Sequence, residues 1–162
     1  MRTVAADDEQ RSRPPARDKH LHVRSTRTGR GIFTGRHLQP WQIVGEILGR
    51  LVDDPDYSSS YCFELGDDRC LEPDPPFRFL NHSCSPNCRF QWYDVKSAGE
   101  TDARRRVFVL ALRAIASGEQ LTIDYRWPAA MAIPCRCGEL DCRGWVVDRL
   151  ELDSLPPRAT RP

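Results

Sequence analysis

The sequence predicts a mostly β fold assembled from several small sheets, and three observations carry that expectation. Short runs rich in Val, Ile, Leu, Phe and Tyr recur along the 162 residues. Clusters of Gly, Pro, Asp and Ser separate those runs, and no stretch has the period of a long amphipathic helix. The length favours one domain around one core. A hydrophobic share of 40% and a charged share of 29% are ordinary for a folded globular chain. With 24 basic and 23 acidic residues the net charge is +1, so no whole-molecule field draws in nucleic acid or an anionic membrane, and direct nucleic-acid binding is not expected. No window approaches the roughly 18 apolar residues of a membrane span, and the N-terminus lacks the apolar centre of a secretory signal. An intracellular chain outside any membrane is the expectation.

Taken in order, residues 1–19 are polar, contain Pro14 and Pro15, and read as a tail. The β-like runs then follow: Leu21 to Ser25, Gly31 to Thr34, Ile43 to Val52, Tyr61 to Leu65, Phe90 to Val95, Val107 to Leu112 and Leu121 to Ile123. Between them, Asp53-Asp54-Pro55-Asp56 and Pro73-Asp74-Pro75-Pro76 read as turns. Phe77 to Leu80 has room for one helical turn, hemmed in by Pro75, Pro76 and Pro86. Arg104-Arg105-Arg106 reads as a solvated strand entry, its charge diluted by Glu100 and Asp102. Residues 149–162 close the chain as a second tail.

Seven cysteines, an odd number, in a chain without an export signal point to thiols and metal binding rather than disulfides. Cys135, Cys137 and Cys142 form C-x-C-x4-C between Pro134 and Gly144. Three side chains this close can converge on one ion, and a closed structural zinc site needs a fourth ligand. Cys62, Cys70, Cys84 and Cys88 are the candidates. A ligand from so far upstream would staple the C-terminal segment onto the domain.

Three further segments stand out: Gly29-Arg30-Gly31-Ile32-Phe33, Arg78-Phe79-Leu80-Asn81-His82-Ser83-Cys84-Ser85-Pro86-Asn87, and Gly118-Glu119-Gln120-Leu121-Thr122-Ile123-Asp124-Tyr125. In that order, and followed by C-x-C-x4-C, they resemble the SET-domain protein lysine methyltransferases that carry a post-SET zinc segment. The resemblance runs from about Val23 to Val147 and takes in Val107 to Ile115 and Arg126-Trp127-Pro128. It implies a SET domain over 20–128, a post-SET zinc segment over 129–148, and a C-terminal pseudoknot. It also implies methyl transfer from S-adenosylmethionine to a lysine ε-amine of a protein or peptide, such as a histone or another basic protein, in a cytoplasmic or chromatin-associated setting.

By the same resemblance, Arg30, Gly31, Tyr61, Asn81 and His82 form the cofactor pocket, with Trp145 near the adenine. Cys84 becomes the fourth zinc ligand beside Cys135, Cys137 and Cys142, leaving Cys62, Cys70 and Cys88 as free thiols. Tyr125 places its hydroxyl at the reaction centre. A protonated lysine has no lone pair with which to attack, and with a free pKa near 10.4 only about one part in a thousand is neutral at pH 7.4. An apolar channel that desolvates the amine therefore suits the task. Relatives commonly have a tyrosine lining that channel at the position of Ile47, and its absence is the feature favouring the alternative, a non-catalytic SET-fold module that binds protein. At Ile123 many relatives have Tyr or Phe, and the smaller side chain points to multiple methylation.

Overall fold

The computed structural model describes residues 19–54, 56–57, 59–65, 69–95 and 104–156. Most of the expected N-terminal tail, Lys96 and the final residues lie outside that set. Among these residues ten strands form three small sheets. β1 (Leu21–Thr26) and β2 (Gly29–Thr34) make a hairpin whose two-residue loop, Arg27-Thr28, closes on Gly29 at φ 112°, a conformation open to glycine. β10 (Gln120–Ile123) pairs antiparallel with β2 and parallel with the short β7 (Asn81–His82), giving the order β1-β2-β10-β7.

The second sheet has β9 (Arg104–Ala111) between β3 (Ile43–Ile47) and β8 (Cys88–Val95), and the third has β6 (Arg69–Pro73) between β4 (Gly49–Asp53) and β5 (Phe63–Glu64). The continuous run Ile43 to Val52 is therefore two strands in two sheets, broken at Leu48. Gly49 explains the break: any Cβ there would collide with the Glu72 carbonyl of β6, so the chain crosses that strand at a distance a side chain would forbid. The expected turn at Pro73 begins one residue later, because Pro73 is the last residue of β6, where a missing N–H is tolerated. Phe77–Phe79 does make a helical turn, a 3-10 turn whose Leu80 amide bonds back to Phe77.

Alternation fixes what each strand buries. On β10, Leu121 and Ile123 face the main core with Ile32, Val109, Ile115 and Leu80, each side chain contributing about 1.5–3 kcal/mol of burial. Gln120 and Thr122 stand on the opposite face. The arginine run is more engaged than a solvated entry: Arg105 ion-pairs with Asp94 and donates to the Leu65 carbonyl at 2.6 Å, and Arg106 pairs with Glu46. At the C-terminal end, where the sequence suggests a tail, Arg149–Ser154 forms a 3-10 helix capped by Asp148. Glu151 of this helix accepts the Ala129 amide at 2.6 Å, docking it on a 3-10 turn at Ala129–Met131.

Candidate active site and metal cluster

Cys84 lies in the turn between β7 and β8, and Cys135, Cys137 and Cys142 in the loop after the last sheet. Their four sulfurs lie within 4.8 Å of one another, with Cys84 Sγ 3.7 Å from Cys135 Sγ and 4.0 Å from Cys142 Sγ. A tetrahedron with 2.3 Å arms has edges of about 3.8 Å, so the four thiols fit a zinc ion with little adjustment. The loop is shaped by Gly138 and Gly144, both at φ 83°, and is held by the Cys135 amide on the Gly144 carbonyl at 2.9 Å. Burial pushes the Cys84 thiol up to about 11 and the Cys135 thiol up as well. A cation is what would draw off those protons.

Two clefts lie on opposite sides of the β7–β10 pair. One, about 440 Å³, is polar and sits on the sheet's outer face, where Thr26, Asn81, His82 and Gln120 meet Arg136 and Glu139 of the cysteine loop. The other, about 590 Å³, is lined by Tyr61, Phe90, Trp92, Ile123, Tyr125 and Trp127. His82 and Tyr125 join them, their rings 5.4 Å apart. His82 Nδ1 accepts the Tyr125 amide at 3.2 Å, which leaves Nε2 to carry the proton and face Cys84 Sγ at 3.4 Å. Burial, reinforced by Arg143 and opposed by Asp124, drives the imidazole down to about 4, so it is neutral.

The Tyr125 hydroxyl donates to the Leu80 carbonyl at 2.7 Å, and burial pushes its pKa up to about 12. It is a fixed, neutral phenol, unsuited to act as a base; with its proton committed to Leu80, its lone pairs can accept.

The residues expected to hold a cofactor separate into three places. Asn81 donates to the Arg30 carbonyl at 3.0 Å, and a Cβ on Gly31 would lie 2.6 Å from Gln120 Nε2 and 3.0 Å from Asn81 Nδ2, so the glycine makes room for that bond. Arg30 stacks on Phe79 at 3.9 Å, while Arg78, the preceding residue of the same 3-10 turn, stacks on Tyr61 at 4.0 Å. The turn thus links the Arg30–Gly31–Asn81–His82 group to Tyr61, which is 46% exposed. Trp145 stands apart. Its indole N–H donates to the Pro156 carbonyl at 3.1 Å, and it is not among the residues lining either cleft. Ile47 is 3% exposed within the main core and lines neither cleft, whereas Ile123 lines the larger one.

Sequence reasoning assigned no role to Asn87, Asp124 or Arg143. Asn87 bonds the Thr122 amide and the Gln120 carbonyl of β10 through one side-chain amide. Arg143 holds Asp124 in a two-pronged ion pair. Asn87 and Asp124 fall inside the motifs; Arg143 had no signal beyond its place next to a cysteine.

A family model described as "SET domain" matches residues 29–126. The chain belongs to the SET-domain family. Among curated proteins, this SET domain is similar to the "Histone-lysine N-methyltransferase, H3 lysine-4 specific" of Schizosaccharomyces pombe, 31% identical over 148 residues, 81% of this chain and 15% of that protein. It is likewise similar to "Histone-lysine N-methyltransferase trr" of Drosophila melanogaster, 30% identical over 141 residues, 76% of this chain and 6% of that protein. The SET chain therefore spans a small part of these relatives. Among solved structures, KRYPTONITE in complex with mCHH DNA, an H3(1-15) peptide and SAH superposes with a TM-score of 0.65 at 27% identity, covering 78% of this chain and 29% of that one.

Proposed function

We propose that this chain is an S-adenosylmethionine-dependent protein lysine methyltransferase. The observation that carries the reading is the Tyr125 hydroxyl, fixed by Leu80 and lining an aromatic cleft back to back with the Asn81–His82 cleft. S-adenosylmethionine, when bound, supplies an electrophilic sulfonium methyl. Arg30, Gly31, Asn81 and His82 would hold it on one side and Tyr61 would contribute from the neighbouring wall, whereas Trp145 lines neither cleft and is bonded to the Pro156 carbonyl. The lysine enters the aromatic cleft from the other side. There Ile123, Trp127 and Tyr125 strip water from the ammonium and lower its pKa, because burial disfavours the charged form. The Tyr125 oxygen accepts a hydrogen bond from the resulting amine and aims its lone pair. Rate comes from this positioning and not from a dedicated base. Ile123 leaves room for an already methylated nitrogen, which favours multiple methylation.

Cys84, Cys135, Cys137 and Cys142 hold one structural zinc ion, for which the sulfur spacing and the all-thiol donor set are the support. The family match covers residues 29–126, inside the SET domain read over 20–128, and Cys135, Cys137 and Cys142 fall beyond it in the zinc segment read over 129–148. The substrate is a lysine-bearing protein within the cell, with histones and other basic proteins the first to try, since the relatives are named for histone lysine. Transfer of a labelled methyl group to a panel of basic proteins and peptides, with the site mapped by mass spectrometry, tests the reading. Label on a lysine ε-amine is expected. Binding of S-adenosylmethionine without transfer to any of them would favour the protein-binding module instead.

A further inference from the structure

We propose that Arg143 is a positioning residue that ties the cysteine cluster to the reacting end of the site by clamping Asp124 next to Tyr125. Arg143 directly follows the last cysteine of the cluster, and its backbone amide donates to Cys84 Sγ at 3.4 Å. Its guanidinium meets Asp124 with two parallel bonds, Nη1 to Oδ2 and Nη2 to Oδ1, each 2.7 Å. The pair is enclosed, with side chains 6% and 19% exposed. Asp124 Oδ1 also accepts the Arg126 amide at 3.3 Å and lies 3.5 Å from His82 Nδ1, the atom that accepts the Tyr125 amide. The carboxylate immediately before Tyr125 thus fixes the Arg126 amide immediately after it, and that carboxylate is itself held by the metal-binding loop.

The residue type matters. A planar guanidinium matches both carboxylate oxygens and fixes the plane of the group, whereas a lysine supplies charge at one point. Arg143 Nε is buried without a hydrogen-bond partner, and the guanidinium also interacts electrostatically with Cys84. A metal-bound Cys84 is a thiolate, so loading the cluster adds a negative charge that Arg143 feels beside that of Asp124. Metal occupancy is in this way felt at Tyr125 through two side chains.

The catalytic half of this inference rests on the role given to Tyr125 above, so the test has a second readout. In Arg143→Lys, zinc stays at one per chain, and the affinity for S-adenosylmethionine and the peptide KM stay within about twofold. The kcat is expected to fall at least about tenfold, since the loop is misplaced while both ligands still bind. Asp124→Asn keeps the shape and is expected to lose a similar factor, with the double variant no worse than either single one. Hydrogen exchange at the Tyr125 and Arg126 amides is read alongside: chelation of zinc from the wild type and Arg143→Lys with zinc retained should both speed it. A wild-type kcat in Arg143→Lys, a kcat that falls only in step with zinc content, or additive losses in the double variant would overturn the clamp. If the wild type transfers no methyl group, the exchange measurement still decides. Protection indifferent to both chelation and Arg143→Lys overturns the clamp, and protection that responds to both upholds it while the function reading alone falls.

Discussion

The Tyr125 hydroxyl has two employments, and a single substitution separates them. Tyr125→Phe removes the acceptor proposed for the lysine amine and also leaves the Leu80 carbonyl without its donor. The expected result is a kcat lower by about a hundredfold, cofactor affinity within about twofold, and a loss of about 1–3 kcal/mol in denaturant unfolding. Wild-type kcat with reduced stability would reassign the tyrosine to the core. Ile47 makes the opposite case. The sequence marks it as a lost channel hydroxyl, yet its side chain is packed among core residues. Ile47→Tyr is therefore expected to cost about 1–3 kcal/mol through overpacking and to leave methyl transfer no faster than before. A faster, equally stable variant would put the position back in the channel.

At the scale of elements, the decisive connection is between β7 and the C-terminal loop, because Cys84 is the one cluster member outside that loop. Cys84→Ser is expected to lower the zinc content well below one per chain, and chelation of the wild type to expose the 134–147 segment to protease while β2, β9 and β10 stay protected. Full metal retention in Cys84→Ser would rule out the four-cysteine assignment. The strands that could be read from sequence were those with β-branched alternation, such as Val107 to Leu112. Those missed had other causes of order. β6, Arg69–Pro73, mixes charges with a terminal proline and is made a strand by its two neighbours. β7 is two residues long and exists because β10 offers it a parallel edge. The four cysteines and Tyr125 were legible through ordered motifs. Arg143 was not, since its partner Asp124 is 19 residues away and only the folded loop brings them together.

Two carboxylates, Glu119 and Glu72, are kept ionised by hydrogen bonds that the fold supplies. Burial alone would raise Glu119, but hydrogen bonds from Arg113, Asn87 and the Ala116 amide overrule it and hold the group below its ordinary 4.5. Glu72 behaves alike, burial being outweighed by bonds from Ser59, Arg78 and Tyr57. A folded-state pKa below the unfolded one contributes stability above the unfolded value and loses it as pH falls through the folded value. Thermal stability should therefore decline from about pH 5 downward, and Glu119→Gln should flatten that decline; an unchanged slope would mean the group does not titrate on unfolding. The strand order β1-β2-β10-β7 has a further outcome during synthesis. Of the four strands of this sheet β1 and β2 are translated before β7 and β10, and the second edge of β2, carrying Ile32 and Phe33, has no partner until Gln120–Ile123 has been translated. Throughout that interval the edge of β2 is an unpaired, partly apolar template open to pairing with the same strand of another copy.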